Sequence, residues 1–181
     1  DLHLSLRRQR QMCIRDRLAG GTSFRMKEDK ALLFDNVNQL HHRLTDLGFT
    51  TVIACGNKNR ISLFDGNCIP DPSDANSLPD VIRFFVNSTE GEIQFFPCDM
   101  YLLSAESIQS ILNQRPGIPV DHNGREQYTL ARTHSGWTPS TQSTLRELFA
   151  TFPRNDMGKH GIELMNFNHP EQLEVLSKLN R

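Results

Sequence analysis

The chain has 181 residues, with 20 Lys and Arg against 21 Asp and Glu and a formal net charge of −1. That balance offers no basic patch or stripe for nucleic acid, and no apolar run approaches the ~20 residues of a membrane span. None of its cysteines forms a C-x-x-C pair, so neither a disulfide framework nor a zinc site is indicated and a reducing cytoplasm fits.

The predicted elements alternate. Leu33, Phe34, Val37, Leu40, Leu44 and Leu47 recur at steps of three and four, which predicts an amphipathic helix ending at Gly48. Residues 50–55 form a short apolar, β-branched run between Gly48 and Gly56 and read as a buried parallel strand. A surface turn at 57–60 leads to short extended pieces at 61–64 and 67–70, and then to a loop rich in Pro, Ser, Asp and Asn. Ser77 is placed to cap a helix that starts at Pro79 and turns Val81, Ile82, Phe85 and Val86 inward. Residues 92–96 read as the next strand, and Ser104 as the cap of a third helix carrying Ile108, Ile111 and Leu112. Two extended segments around Asn123-Gly124 predict a hairpin that interrupts the parallel order. A fourth helix is expected from Thr138-Pro139, a last strand over 161–167 and a terminal helix from Pro170. Such alternation defines an α/β fold: a mainly parallel sheet with helices on both faces and a β-hairpin insertion. Its ligands are expected beyond the C-terminal strand ends.

One stretch stands out chemically. In residues 18–30, LAGGTSFRMKEDK, Gly20 and Gly21 let backbone N–H groups approach a ligand closely, and Arg25, Lys27 and Lys30 follow within reach. That combination suits a polyphosphate, yet it is neither the Walker loop nor the dinucleotide fingerprint. With Arg25-Met26 and Asp29-Lys30, the stretch resembles the signature of the molybdenum cofactor guanylyltransferases and related nucleotidyltransferases. Phe95-Phe96-Pro97-Cys98-Asp99-Met100 is similar to that family's strand ending in a metal-binding aspartate, and residues 166–173, NFNHPEQL, to its closing Asn-x-Asn segment.

The resemblance implies a Rossmann-like nucleotidyltransferase fold and a set of roles. The backbone of Leu18, Ala19, Gly20 and Gly21 would hold the nucleotide, and Arg25 and Lys30 would contact its phosphates. Asp71 would face the nucleoside, and Asp99 would ligate Mg²⁺. Asn166 and Asn168 would orient the acceptor or complete the metal shell. The implied reaction transfers GMP from GTP to molybdopterin, or its molybdenum-loaded form, giving a guanine dinucleotide and pyrophosphate; molybdoenzymes or their chaperones would be partners. A cytidylyl- or sugar-phosphate relative and a non-catalytic nucleotide-binding module remain the alternatives, because fold alone does not fix function. Three departures bear on that choice: Asn76-Ser77-Leu78-Pro79-Asp80 stands where a Gly-Pro-Leu-x-Gly loop shapes the base pocket, Tyr101 where proline is usual, and Lys27 where glycine is usual.

The first residues read differently. Residues 7–16, RRQRQMCIRD, resemble a translated DNA adapter of transposase-based sequencing libraries, codon for codon, and Asp1-Leu2-His3 fits its outer part. Residues 1–17 are therefore set apart as a non-native, adapter-derived segment, and residues 18–181 read as one nucleotidyltransferase domain. The 164 residues of that domain carry 15 basic and 19 acidic side chains, a net charge of −4, and retain Cys55, Cys68 and Cys98. On this reading the native first strand, which should end at Leu18, is missing, and the sheet lacks a central strand.

Overall fold

The computed structural model describes residues 11–15, 29–167 and 172. Four parallel strands form the main sheet in the order β3-β2-β1-β4: β1 is Gln11–Arg15, β2 Thr50–Gly56, β3 Cys68–Pro70 and β4 Ile93–Pro97. β1 pairs with both β2 and β4, with Cys13 opposite Val52 on one side and Phe95 on the other. The central place is thus filled by 11–15, residues of the segment set apart above as adapter-derived, so the sheet has a central strand although the native one was read as missing.

Strand side chains alternate between two cores, because successive Cβ atoms point to opposite faces. Ile53, Cys55, Phe96 and Cys98 face a core shared with α1 (Asn36–Asp46) and α3 (Ala105–Asn113), through Val37, Leu40, Leu44, Ile108 and Ile111. Val52, Ala54, Ile93 and Phe95 face the other core, with α2 (Leu78–Asn87) and α4 (Leu145–Leu148) contributing Val81, Ile82, Phe85 and Leu148. The two-faced arrangement expected from the sequence is therefore present.

The caps at Ser77 and Ser104 are as predicted. Ser77 accepts from the Asp80 N–H while the Asp80 carboxylate takes the Ser77 N–H in return, a full capping box, and Ser104 accepts from the Ser107 N–H. At the far end of α3, the buried Arg132 guanidinium donates to the carbonyls of Leu112 and Gln114 at 2.9 and 2.7 Å and pairs with Glu92 at 2.8 Å. These contacts satisfy carbonyls that a helix C-terminus leaves open. Arg132 also makes antiparallel bridges to Gln94 and Gly117, so parallel order is interrupted where the sequence indicated.

Several elements differ from expectation. The 61–64 segment is a 3₁₀ turn, Lys58–Leu63, because Asn57 accepts the Asn59 N–H and closes the chain locally. Asn123-Gly124 does turn, with Gly124 at φ 76°, and the two arms meet in isolated antiparallel bridges, Val120 to Glu126 and Gly117 to Arg132, rather than in continuous strands, because Tyr128–Leu130 between them is 3₁₀. The free side of β5 (Ile118–Val120) is taken instead by β6 (Arg154–Asp156), in parallel. Residues 161–164 belong to the 3₁₀ segment Gly158–Leu164 rather than to a last strand. Gly161 lies so close to His122 that a Cβ would stand 2.8 Å from its backbone nitrogen. The fourth helix begins only at Leu145, capped by Thr144, since the Ser, Thr and Gln residues before it compete for backbone hydrogen bonds. Trp137 stacks on Phe149 at 5.3 Å and meets Phe152 edge-on at 4.9 Å, a packing role as expected. The terminal helix expected from Pro170 lies outside the described residues.

Candidate active site

In an open parallel sheet, the chain runs outward from the central strand, then crosses back to its other side, and a crevice forms where the two directions part. Here the parting falls between β1 and β4. The segment after β1 carries Lys30, and the segment after β4 carries Asp99. The structure brings the two together: Lys30 Nζ lies 3.4 Å from Asp99 Oδ2, with the lysine 15% and the aspartate 0% exposed.

Asp99 is held from several sides. Its carbonyl accepts the Phe167 N–H at 3.1 Å, and the carbonyl of Cys98 accepts from Asn36 Nδ2 at 3.0 Å. Cys98 itself is buried in the core, as expected for a small apolar residue. Burial pushes the Asp99 carboxyl up to about 6, and the Lys30 charge opposes the rise. Oδ1 of the same carboxylate is buried and meets no hydrogen-bond donor among the described residues.

Lys30 is fixed at its backbone. Tyr101 donates its hydroxyl to the Lys30 carbonyl at 2.9 Å, and the preceding residue, Asp29, pairs with Arg60 at 2.7 Å and accepts the Ala31 N–H at 3.1 Å. Asp29 therefore anchors the segment while Lys30 reaches inward. Burial pushes the Tyr101 phenol well above its ordinary value, which keeps it a hydrogen-bond donor.

The other expected site residues divide. Asp71 follows β3 at the same end of the sheet, where its N–H donates to the Gly56 carbonyl at 2.8 Å, and Gly56 turns out of β2 with φ 81°. Three strand spacings of roughly 4.8 Å separate β3 from β4, so Asp71 and Asp99 mark opposite ends of the strand-end surface. The 166–167 segment reaches Asp99 through the Phe167 N–H, and Asn166 Nδ2 donates to Gln127 Oε1 at 2.9 Å. Gln127 in turn donates to Asp121 Oδ2 at 3.0 Å, so the hairpin turn supports the closing segment. Leu18, Ala19, Gly20, Gly21, Arg25 and Asn168 lie outside the described residues.

Sequence reasoning missed Asn36, Gln127 and the Asp29–Arg60 pair. Their roles arise from contacts between distant segments, and no local pattern marks them. Tyr101 stood out only as a departure, yet it ties the two halves of the site. The Asn76-Ser77-Leu78-Pro79-Asp80 stretch is accounted for by the α2 capping box, in which Asp80 accepts the N–H groups of Asn76 and Ser77.

A parallel sheet whose switch point brings a buried carboxylate to a lysine offers a place for a charged ligand beyond the strand ends. Residues 18–153 match the MobA-like NTP transferase domain, and the chain belongs to that family. It is a nucleotidyltransferase-type α/β protein.

Solved structures agree at the level of fold. Aq1419 from Aquifex aeolicus VF5 superposes with a TM-score of 0.65 at 13% identity, over 90% of this chain and 95% of that one. A 4-diphosphocytidyl-2C-methyl-D-erythritol synthase gives 0.59 at 10% identity, over 96% and 99%. The bifunctional IspDF of Campylobacter jejuni gives 0.57 at 9% identity, over 91% of this chain and 53% of its own. No curated protein matches the chain by sequence. Among the described residues, no helix is long and apolar enough to cross a membrane.

Proposed function

We propose that the chain transfers GMP from GTP to molybdopterin, or to its molybdenum-loaded form, releasing pyrophosphate. A phosphate oxygen of the acceptor attacks the α-phosphorus of GTP. The bond from that phosphorus to the α–β bridging oxygen breaks, and the electron pair leaves with pyrophosphate. Catalysis of this kind rests on position and on neutralising charge as it moves.

The observation that carries the reading is the Lys30–Asp99 pair at the switch point, with Asp99 Oδ1 buried and without a donor among the described residues. A carboxylate oxygen left in this way fits a hard cation, and Mg²⁺ takes few protein ligands beside phosphate oxygens and water. Asp99 would hold it, and the ion would supply charge neutralisation on the phosphates. Lys30, its backbone fixed by Tyr101, places a compact positive charge beside the leaving pyrophosphate. Asp71, at the far end of the same edge, is the candidate contact for the nucleoside.

Calorimetric titration of GTP, CTP and UTP in the presence of Mg²⁺ tests the base. A clear preference for GTP is expected. Preference for another nucleotide would move the assignment to a sister activity, and absence of binding to all three would overturn nucleotidyl transfer by this chain.

A further inference from the structure

We infer that Phe34, displayed on a left-handed turn beside Tyr101, is a stacking platform for the flat heteroaromatic ring of the acceptor. The inference rests on the reading of the site given above and names its acceptor side. Two consecutive non-glycine residues, Phe34 at φ 56° and Asp35 at φ 54°, occupy the left-handed region. Side chains rarely adopt that conformation, and it persists only where neighbours over-determine it. Neighbours do so here: Gln39 Nε2 donates to the Phe34 carbonyl at 2.9 Å, and Asn38 Nδ2 donates to the Asp35 carboxylate at 2.8 Å.

This costly turn does not bury its aromatic residue. Phe34 remains 54% exposed. Its ring meets Tyr101 edge-to-face at 5.4 Å, and Tyr101 in turn packs on Phe167 at 5.6 Å. Through its hydroxyl, Tyr101 holds the backbone of Lys30, whose ammonium lies against Asp99. An exposed ring is therefore connected, by one aromatic contact and one hydrogen bond, to the segment that carries the reacting-site cation. A phenyl face fixed in that manner suits the planar pyrimidinone ring of a pterin, and such stacking is insensitive to the ring's hydrogen-bonding edge.

The side of the site selects the acceptor over the base. Tyr101 and Phe167 belong to the segments beyond β4, whereas Asp71 lies past β3 at the opposite end of the strand-end surface. A ring stacked on Phe34 therefore belongs to the group that approaches from the β4 side, with its phosphate directed at the Lys30–Asp99 pair.

The test uses neopterin as a fluorescent pterin probe and GTP as the second ligand, with wild type and Phe34→Ala, Phe34→Trp and Phe34→Gly. Expected is quenching of pterin fluorescence by wild type, about tenfold weaker pterin binding in Phe34→Ala and Phe34→Gly, retention in Phe34→Trp, and unchanged GTP affinity throughout. Phe34→Gly suits the left-handed backbone, so its melting temperature should hold or rise, which separates loss of the ring from loss of the fold. Equal pterin binding by wild type and Phe34→Ala would overturn the platform. So would a loss confined to GTP affinity, which would give the ring to the nucleotide base. Absence of pterin binding in wild type would also overturn it, and turnover of GTP with molybdopterin in that protein would then show that the proposed reaction stands without the platform.

Discussion

At Asp99, two demands meet on one carboxylate: one oxygen faces Lys30 and the other is buried without a donor among the described residues. Substituting Asp99→Asn keeps the shape and removes the charge, so turnover should fall about 10²–10³-fold, the cost typical of losing one electrostatic contact to a reacting group. A steady-state assay with GTP checks it, and an unchanged kcat would remove Asp99 from the mechanism. Lys30→Met leaves the carboxylate buried without its counter-charge and should destabilise the fold by about 3 kcal/mol. Adding Asp99→Asn to that variant should recover most of the loss, since the uncompensated charge is then gone. Urea unfolding of the three variants measures the coupling, and additive losses would show that the pair contributes no mutual stabilisation. Both residues were singled out in the sequence, through the motifs that carry the family resemblance, and the structure brings them within 3.4 Å. Tyr101, Asn36 and Gln127 were not, because each acts on a partner at least 39 residues away.

Among the elements, α2 has the most complete start. Its Asp80 carboxyl is held down to about 2, first by the Ser77 hydroxyl and then by Arg83, with burial opposing. The unfolded chain binds the proton more readily, at its ordinary value near 3.8. Between those values the unfolded state therefore carries more protons, so stability rises with pH, is complete above about 4 and is lost as pH falls toward 2. Asp80→Ala should cost about 1 kcal/mol at neutral pH, kept small because 31% of the side chain meets solvent. The gap from wild type should close as denaturation is followed down to pH 2, and a constant gap would point to packing instead. The turn at Phe34 and Asp35 works in the opposite sense. Left-handed backbone costs a side-chain-bearing residue roughly 1–2 kcal/mol, so Phe34→Gly should gain up to about 1 kcal/mol by chemical denaturation, and a loss would show that ring packing on Tyr101 outweighs the backbone strain. Elements with strong periodicity and a serine cap, α2 and α3, were readable from the sequence, whereas α1 starts only at Asn36 because Leu33 and Phe34 lie in the turn before it. The 161–167 segment was not readable, because its course is set by remote contacts, the His122 N–H on the Gly161 carbonyl and the Phe167 N–H on the Asp99 carbonyl.

For the whole molecule, the two-faced parallel sheet followed from alternation of element types, while the strand order and the partner of β5 did not, since pairing depends on contacts between remote segments. β1 shows how far position can override composition. A strand between two parallel neighbours ordinarily reads as a continuous apolar run, whereas Gln11–Arg15 is QMCIR. Restoring an apolar strand before Leu18 in place of this segment should raise the melting temperature by several degrees. A thermal scan decides this, and an unchanged or lower value would mean that the present segment fills the central place as well as an apolar strand would.

The strand order also governs timing. The central place precedes both of its neighbours in the chain, and its partners begin at residues 50 and 93, so the middle of the sheet joins pieces remote in sequence whichever segment fills it. Until β4 emerges, one side of β1 presents an unsatisfied backbone edge, and Asp99 has no place to occupy. The crevice in which Lys30 meets Asp99 is therefore complete only when the β1–β4 seam closes. Folding on the slower scale of non-local topologies, and vulnerability to pairing with other chains before that closure, belong to the same arrangement that makes the site.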